Sequence, residues 1–148
     1  MSLVFVDTNV LVYGEDAAFP KKQAQALEWL EWLWRSHRGR LSVQVLNEFY
    51  VTVTRKLAPA MPMGHARAEI RRYQSWQPLA LEQPLLEAAW AAEAHYGLSF
   101  WDSLIVASAQ QLNCRYLLSE DLQHEQTFGK LQVINPFHTS PNQLEAKA

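Results

Sequence analysis

Asp7 stands directly after the apolar run Leu3-Val4-Phe5-Val6, and three more acids, Glu48, Asp102 and Asp121, occupy similar settings further along the 148-residue chain. Each lies beside hydrophobic residues where an element is expected to begin or end, and none has a Lys or Arg adjacent in sequence. An ionised acid held near a core is costly unless it is paired or bound to a metal, so four such acids point to a shared cation. Oxygen-only ligation selects Mg2+ or Mn2+, and the chemistry of those ions is mostly that of phosphate esters. Singly, each acid also has a plainer reading. Asp102 completes a capping box with Ser99, Asp121 can cap the turn that follows it, Asp7 can form an Asx turn with Thr8 and Asn9, and Glu48 can simply face water.

The elements that would carry these acids alternate between strands and helices. Leu3 to Val6 reads as a short strand buried on both faces. Pro20 at a first turn and Gly39 at a stop bound a long helix over Lys21 to Arg38. Leu41-Ser42 reads as a short strand end, with Ser42 capping a helix that runs to about Leu57, before Pro59. After a loop at Ala60-Met61-Pro62-Met63, a helix is expected from Gly64 to Trp76, then a brief strand at Leu79-Ala80-Leu81. Pro84 opens a further helix that Gly97 closes. Ser99 caps a helix from Phe100 to Asn113, and Tyr116-Leu117-Leu118 and Leu131-Gln132-Val133-Ile134 are strands. This alternation implies a parallel sheet flanked by helices, whose binding crevice lies beyond the carboxyl ends of the strands. Asp7 and Asp121 fall just past strand ends, and Glu48 and Asp102 near helix starts, so all four can meet at one edge of the sheet.

The segments Val6-Asp7-Thr8-Asn9-Val10-Leu11-Val12-Tyr13, Val45-Leu46-Asn47-Glu48-Phe49-Tyr50, Ser99-Phe100-Trp101-Asp102-Ser103-Leu104-Ile105 and Leu117-Leu118-Ser119-Glu120-Asp121-Leu122 together resemble a PIN-domain ribonuclease, closest in look to the VapC-type toxins of bacterial toxin–antitoxin pairs. The motifs keep the family's order and span Val6 to Leu122. The resemblance implies a three-layer α/β/α sandwich with a central parallel sheet in strand order 3-2-1-4-5. It also implies that Asp7, Glu48, Asp102 and Asp121 are the catalytic acids that hold one or two Mg2+ or Mn2+ ions. Thr8, Asn9 and Ser119 then orient those acids. At Glu120 the neighbouring Asp121 fits the motif better. The implied activity is endoribonucleolytic cleavage of RNA by metal-activated water, restrained by a cognate antitoxin, in a protein that pairs with itself.

Composition sets the outer bounds. A chain of this length with 49% hydrophobic residues is expected to form one domain, over residues 1–137, followed by a polar, frayed tail over 138–148. The net charge of −2 and pI near 6.2 exclude a strongly basic surface that holds nucleic acid by bulk electrostatics. Cys114 is the single cysteine, so no intrachain disulfide or Cys-based zinc site can form, and it is expected to pack as a small hydrophobe. No apolar segment reaches membrane-spanning length, and a cytoplasmic location is expected. The five histidines lack metal-binding spacing, and there is no GxSxG elbow, P-loop or GxGxxG.

Two further features carry expectations. Glu48, Thr52 and Arg55 share a helix face, which makes Arg55 a candidate phosphate contact, against the plainer reading of a solvated, dipole-matched helix end. The helix over Lys21 to Arg38 holds Leu27, Trp29, Leu30, Trp32, Leu33 and Trp34, more apolar surface than one packing stripe needs. Either this helix is unusually enclosed or its aromatic face meets another chain, and the expectation favours a partner surface. Two other functions remain open: a PIN-like module that binds RNA or protein without turnover, and a haloacid-dehalogenase-like phosphatase using Asp7. The phosphatase class wants a second Asp two positions on, where this chain has Asn9.

Overall fold

A computed structural model describes residues 2–147 of the chain. Its centre is β1 (Val4–Val6), three apolar residues fully shielded from solvent, which requires cover on both faces of the sheet. Parallel neighbours flank it: β2 (Gly39–Arg40) on one side and β3 (Tyr116–Leu118) on the other. Beyond β3 lies β5 (Leu131–Ile134), also parallel, and β4 (Thr127–Phe128) closes that edge as an antiparallel strand. The sheet order is β2-β1-β3-β5-β4. The expected order 3-2-1-4-5, which counts Leu79–Leu81 as its third strand, holds in those terms, because Leu79 makes a parallel bridge to Ser42 outside β2. That third strand is reduced to the single bridge, and the hairpin strand at Thr127–Phe128 was not foreseen.

Helices on both faces complete the three-layer α/β/α sandwich. The sequence reading missed α1 (Thr8–Glu15), which starts immediately after Asp7. Its Val10, Val12 and Tyr13 have poor helix propensity, and burial of Val10 and Leu11 in the core overrides that preference. α2 (Pro20–Ser36) ends at His37 in the left-handed region, φ 58°, and not at Gly39. Gly39 serves β2 instead: a Cβ there would lie 2.4 Å from the Trp76 ring. α3 (Val43–Arg55) begins at Ser42, whose hydroxyl accepts from the Val45 N–H at 3.4 Å. α4 (Met63–Arg72) runs into a 3-10 turn at Tyr73–Trp76. α5 (Gln83–Tyr96), closed by Gly97 at φ 68°, packs against α6 (Phe100–Gln111) through Leu85, Ala89, Leu104 and Ala107.

Two expectations are corrected here. The aromatic face of α2 is not a free partner surface, because the chain covers it itself. Trp29 is 1% exposed, and its indole N–H donates to the carbonyls of Pro136 (3.1 Å) and Thr139 (2.9 Å). The Trp32 indole donates to Glu145 at 2.9 Å and the Arg38 guanidinium lies over its ring, while Trp34 packs against Tyr73 and Trp76. The segment expected to fray from His138 onward supplies much of this cover. It forms α7 (Pro141–Lys147), whose Leu144 is completely buried in the main core. One buried leucine and a buried proline at the start of a short polar helix leave almost no periodic signal. Ala148 lies outside the described residues.

Candidate active site

Asp7 ends β1 and caps α1, and its backbone N–H donates to the Leu118 carbonyl at 3.0 Å, tying the ends of β1 and β3 together. The side chain is 6% exposed. Its Oδ1 accepts from the Thr8 N–H at 2.7 Å, and its Oδ2 accepts from the Ser119 hydroxyl at 2.8 Å. Burial pushes its carboxyl up to about 7, against the lowering pull of those two hydrogen bonds. The nearby charges of Asp121 and Glu48 push it further in the same direction. None of the ion pairs among the described residues involves Asp7.

Asn9 links the first and last motifs. Its amide nitrogen reaches Asp7 Oδ2 (3.3 Å), Ser119 Oγ (3.3 Å) and Asp121 Oδ2 (3.1 Å). Its carbonyl oxygen accepts from the Glu120 N–H at 3.1 Å. Ser119, fully buried at the end of β3, also accepts from the Asp121 N–H at 3.1 Å. From α3, Glu48 Oε1 accepts from the Thr8 hydroxyl at 2.8 Å, so this acid does not simply face water. Asp102 lies in the first turn of α6, where its N–H donates to the capping Ser99 hydroxyl at 3.2 Å. Burial raises its carboxyl above the usual range against the lowering pull of the Ser99 side chain, and the charge of Asp121 adds to the rise.

All four acids line one open cavity of about 920 Å³. Among the described residues, however, no group of three or more His, Cys, Asp or Glu side chains is gathered closely enough to hold a metal ion. The Asn9 amide stands between Asp7 and Asp121, which fits mutual repulsion of close carboxylates held apart by a neutral donor. The donor chemistry suits a hard divalent cation: every candidate ligand is a carboxylate oxygen, and Asp7 is buried without a counter-charge among the described residues.

The cavity also shows what the sequence reading overlooked. Arg55 is exposed and is not among the lining residues, whereas Lys56 is. Among the described residues, Lys56 brings the only ammonium to a cavity lined by the carboxylates Asp7, Asp16, Glu48, Asp102 and Asp121. Several exposed apolar side chains of the molecule, Phe19, Val43, Val51, Leu81 and Trp101, belong to this same wall and not to α2. Glu120 faces away from the acids and pairs with Lys22, which also lies over the Tyr13 and Phe137 rings, while the Tyr13 hydroxyl donates to Glu120 at 3.0 Å. That buttress braces the loop holding Asp121, and no sequence spacing announces it. Cys114 is buried, and its thiol is pushed up to about 12, so it carries no thiolate chemistry.

No curated protein sequence matches the chain. The family profile described as "PIN domain" matches residues 4–129. Among solved structures, the fold resembles VapC20 of Mycobacterium tuberculosis, described as a sarcin–ricin-loop-cleaving toxin, with a TM-score of 0.61 and 22% identity over 80% of this chain and 91% of that one. It also resembles a chain of FitAB bound to the IR36 DNA fragment, with a TM-score of 0.69 and 18% identity over 93% of this chain and 98% of that one.

Proposed function

The chain belongs to the PIN-domain family, and from that premise we propose that it is a Mg2+- or Mn2+-dependent endoribonuclease, the toxin of a toxin–antitoxin pair. The observation that carries this reading is Asp7, a buried carboxylate with no cationic partner among the described residues, oriented by Thr8, Asn9 and Ser119 and joined by Glu48, Asp102 and Asp121 around one cavity. Asp7, Glu48, Asp102 and Asp121 would hold the metal. A divalent ion bound there supplies activation of water and neutralisation of the charge that grows on the phosphoryl oxygens. Ser119 and Thr8 fix the two oxygens of Asp7, and Thr8 also fixes Glu48, so the acids are aimed before a substrate arrives. In-line attack of water on phosphorus leaves a 5′-phosphate and a 3′-hydroxyl, with no protein nucleophile needed. The likeness in fold to a chain described as a sarcin–ricin-loop-cleaving toxin supports this reading. A cognate antitoxin, self-association and a cytoplasmic location belong to the same proposal, and no helix among the described residues is long and apolar enough to cross a membrane.

The test is cleavage of total cellular RNA in Mg2+, with and without EDTA, with sequencing of the new ends. Wild type should cut only without EDTA, and Asp7→Asn should be folded and inactive. RNA left intact by the folded, metal-replete protein would remove the assignment. A second reading, a binding module without turnover, draws on one observation: the carboxylates as they stand do not close around an ion. Divalent-metal titration separates the two. A nuclease should take up the ion with an affinity that collapses on acidification, since the ion must displace the Asp7 proton.

A further inference from the structure

The turn that follows β3 carries Ser119, Glu120 and Asp121 in a row, and they face two ways. Ser119 and Asp121 belong to the acidic centre, where the Ser119 hydroxyl donates to Asp7 and accepts from the Asp121 N–H. Glu120, between them, points out of it. Its Oε1 accepts from the Tyr13 hydroxyl at 3.0 Å, and its Oε2 accepts from the Lys22 ammonium. The ammonium also lies 4.9 Å from the centre of the Tyr13 ring and 5.1 Å from that of Phe137, and those two rings meet edge to face at 5.2 Å. One contact therefore joins α1, the first turn of α2, the turn after β3 and the segment after β5.

Asp121 needs such a hold. It is exposed, and its carboxylate has one hydrogen-bond partner among the described residues, the Asn9 amide. A carboxylate so placed turns freely unless the backbone beneath it is fixed, and ordering it when an ion binds costs conformational entropy. Where the turn is ordered beforehand, that cost does not fall on the ion. Glu120 is held from two directions, by the Asn9 carbonyl on its N–H at 3.1 Å and by Tyr13 and Lys22 on its side chain. On the other flank Leu122 is buried, so Asp121 sits between two fixed neighbours.

We propose that the Lys22–Glu120–Tyr13 contact sets how tightly the acidic centre takes its divalent ion, by fixing the turn that presents Asp121 before the ion arrives. This rests on the reading of Asp7, Glu48, Asp102 and Asp121 as metal ligands. Glu120 and Lys22 are positioning residues, and neither touches the ion. Charge alone gives the opposite sign for Lys22, because a cation near an acidic centre repels a second cation and its removal should tighten metal binding. Through position, its removal frees Glu120 to turn to water, loosens the turn and weakens metal binding. The Lys22 side chain is 37% exposed, so solvent screens its charge at the range of the acids beyond Glu120, whereas its contact with Glu120 is direct. Position should therefore win.

The experiment uses the full chain with Mn2+ alone as the probe and reads bound ion by calorimetry without RNA, with melting in EDTA as the check on folding. Lys22→Met, which keeps the stem over the two rings, should weaken Mn2+ binding by on the order of 10-fold. Tyr13→Phe, which changes no charge, should weaken it severalfold in the same direction. A contact that served the fold alone would lower the melting temperature of both variants and leave Mn2+ affinity where it was. Mn2+ held by folded Lys22→Met as tightly as by wild type, or more tightly, overturns the inference and leaves the nuclease reading standing. If Lys22→Met does not fold, unchanged affinity in Tyr13→Phe overturns it in the same way. Wild type that binds Mn2+ and cuts no RNA overturns the nuclease reading alone, and wild type that takes up no Mn2+ overturns both.

Discussion

At the residue scale, Asp7 governs both chemistry and stability. Its carboxyl is lifted by burial from 3.8 to about 7, so folding favours the protonated form. The stability tied to this group is complete below its unfolded value and is lost as pH rises through about 7. Asn at this position cannot ionise. In EDTA, the stability of Asp7→Asn relative to wild type should therefore grow from about pH 4 to about pH 8, toward an upper bound of roughly 4 kcal/mol. Thermal melts across that range check it, and a difference that stays flat with pH would show that burial does not set the titration of Asp7. The same variant loses cleavage, so this one residue should trade activity for stability, as expected where a fold holds a strained group for function.

At the scale of elements, the site depends on close approaches between them. β2 can run beside β1 because Gly39 leaves room for the Trp76 ring, which closes the turn after α4. Gly39→Ala would set a methyl group into that ring, and overpacking of this kind typically costs about 1–3 kcal/mol. The urea midpoint should fall accordingly with an unchanged m-value. A variant as stable as wild type would mean that Trp76 moves aside freely. The C-termini of β1 and β3 lie side by side, so Asp7 and Ser119 meet without any long side-chain reach, and the short loop after β3 delivers Asp121 to Asn9.

At the scale of the whole molecule, the C-terminal segment acts as a clasp on α2. Trp29, Trp32 and Leu144 form one contact between the start and the end of the chain, closed by indole hydrogen bonds to Thr139 and Glu145. Leu144→Ala should destabilise the protein by roughly 2–5 kcal/mol, since its side chain is fully buried and the short helix would not close over the cavity left. Calorimetry measures the loss, and hydrogen exchange should show α2 exposed along with α7. Melting indistinguishable from wild type would show that the clasp contributes nothing to the global fold.

The sequence by itself determined the main alternation of strands and helices, the caps at Ser42 and Ser99, and the candidate acids, with Asp7 and Asp102 at element ends and Glu48 inside α3. Those features are local, and hydrophobic period, capping chemistry and Gly or Pro punctuation write them into a few neighbouring residues. Only the tertiary structure decided that Trp29 and Trp32 are enclosed by the chain's own end, that Lys56 and not Arg55 lines the cleft, and that Glu120 pairs with Lys22 away from the acids. These depend on contacts between residues up to 113 positions apart, such as Trp32 with Glu145, and on the rotational phase of a helix at its last turn. Neither leaves a periodic trace along the chain, because burial is settled by what packs from elsewhere and not by the residue's own neighbours.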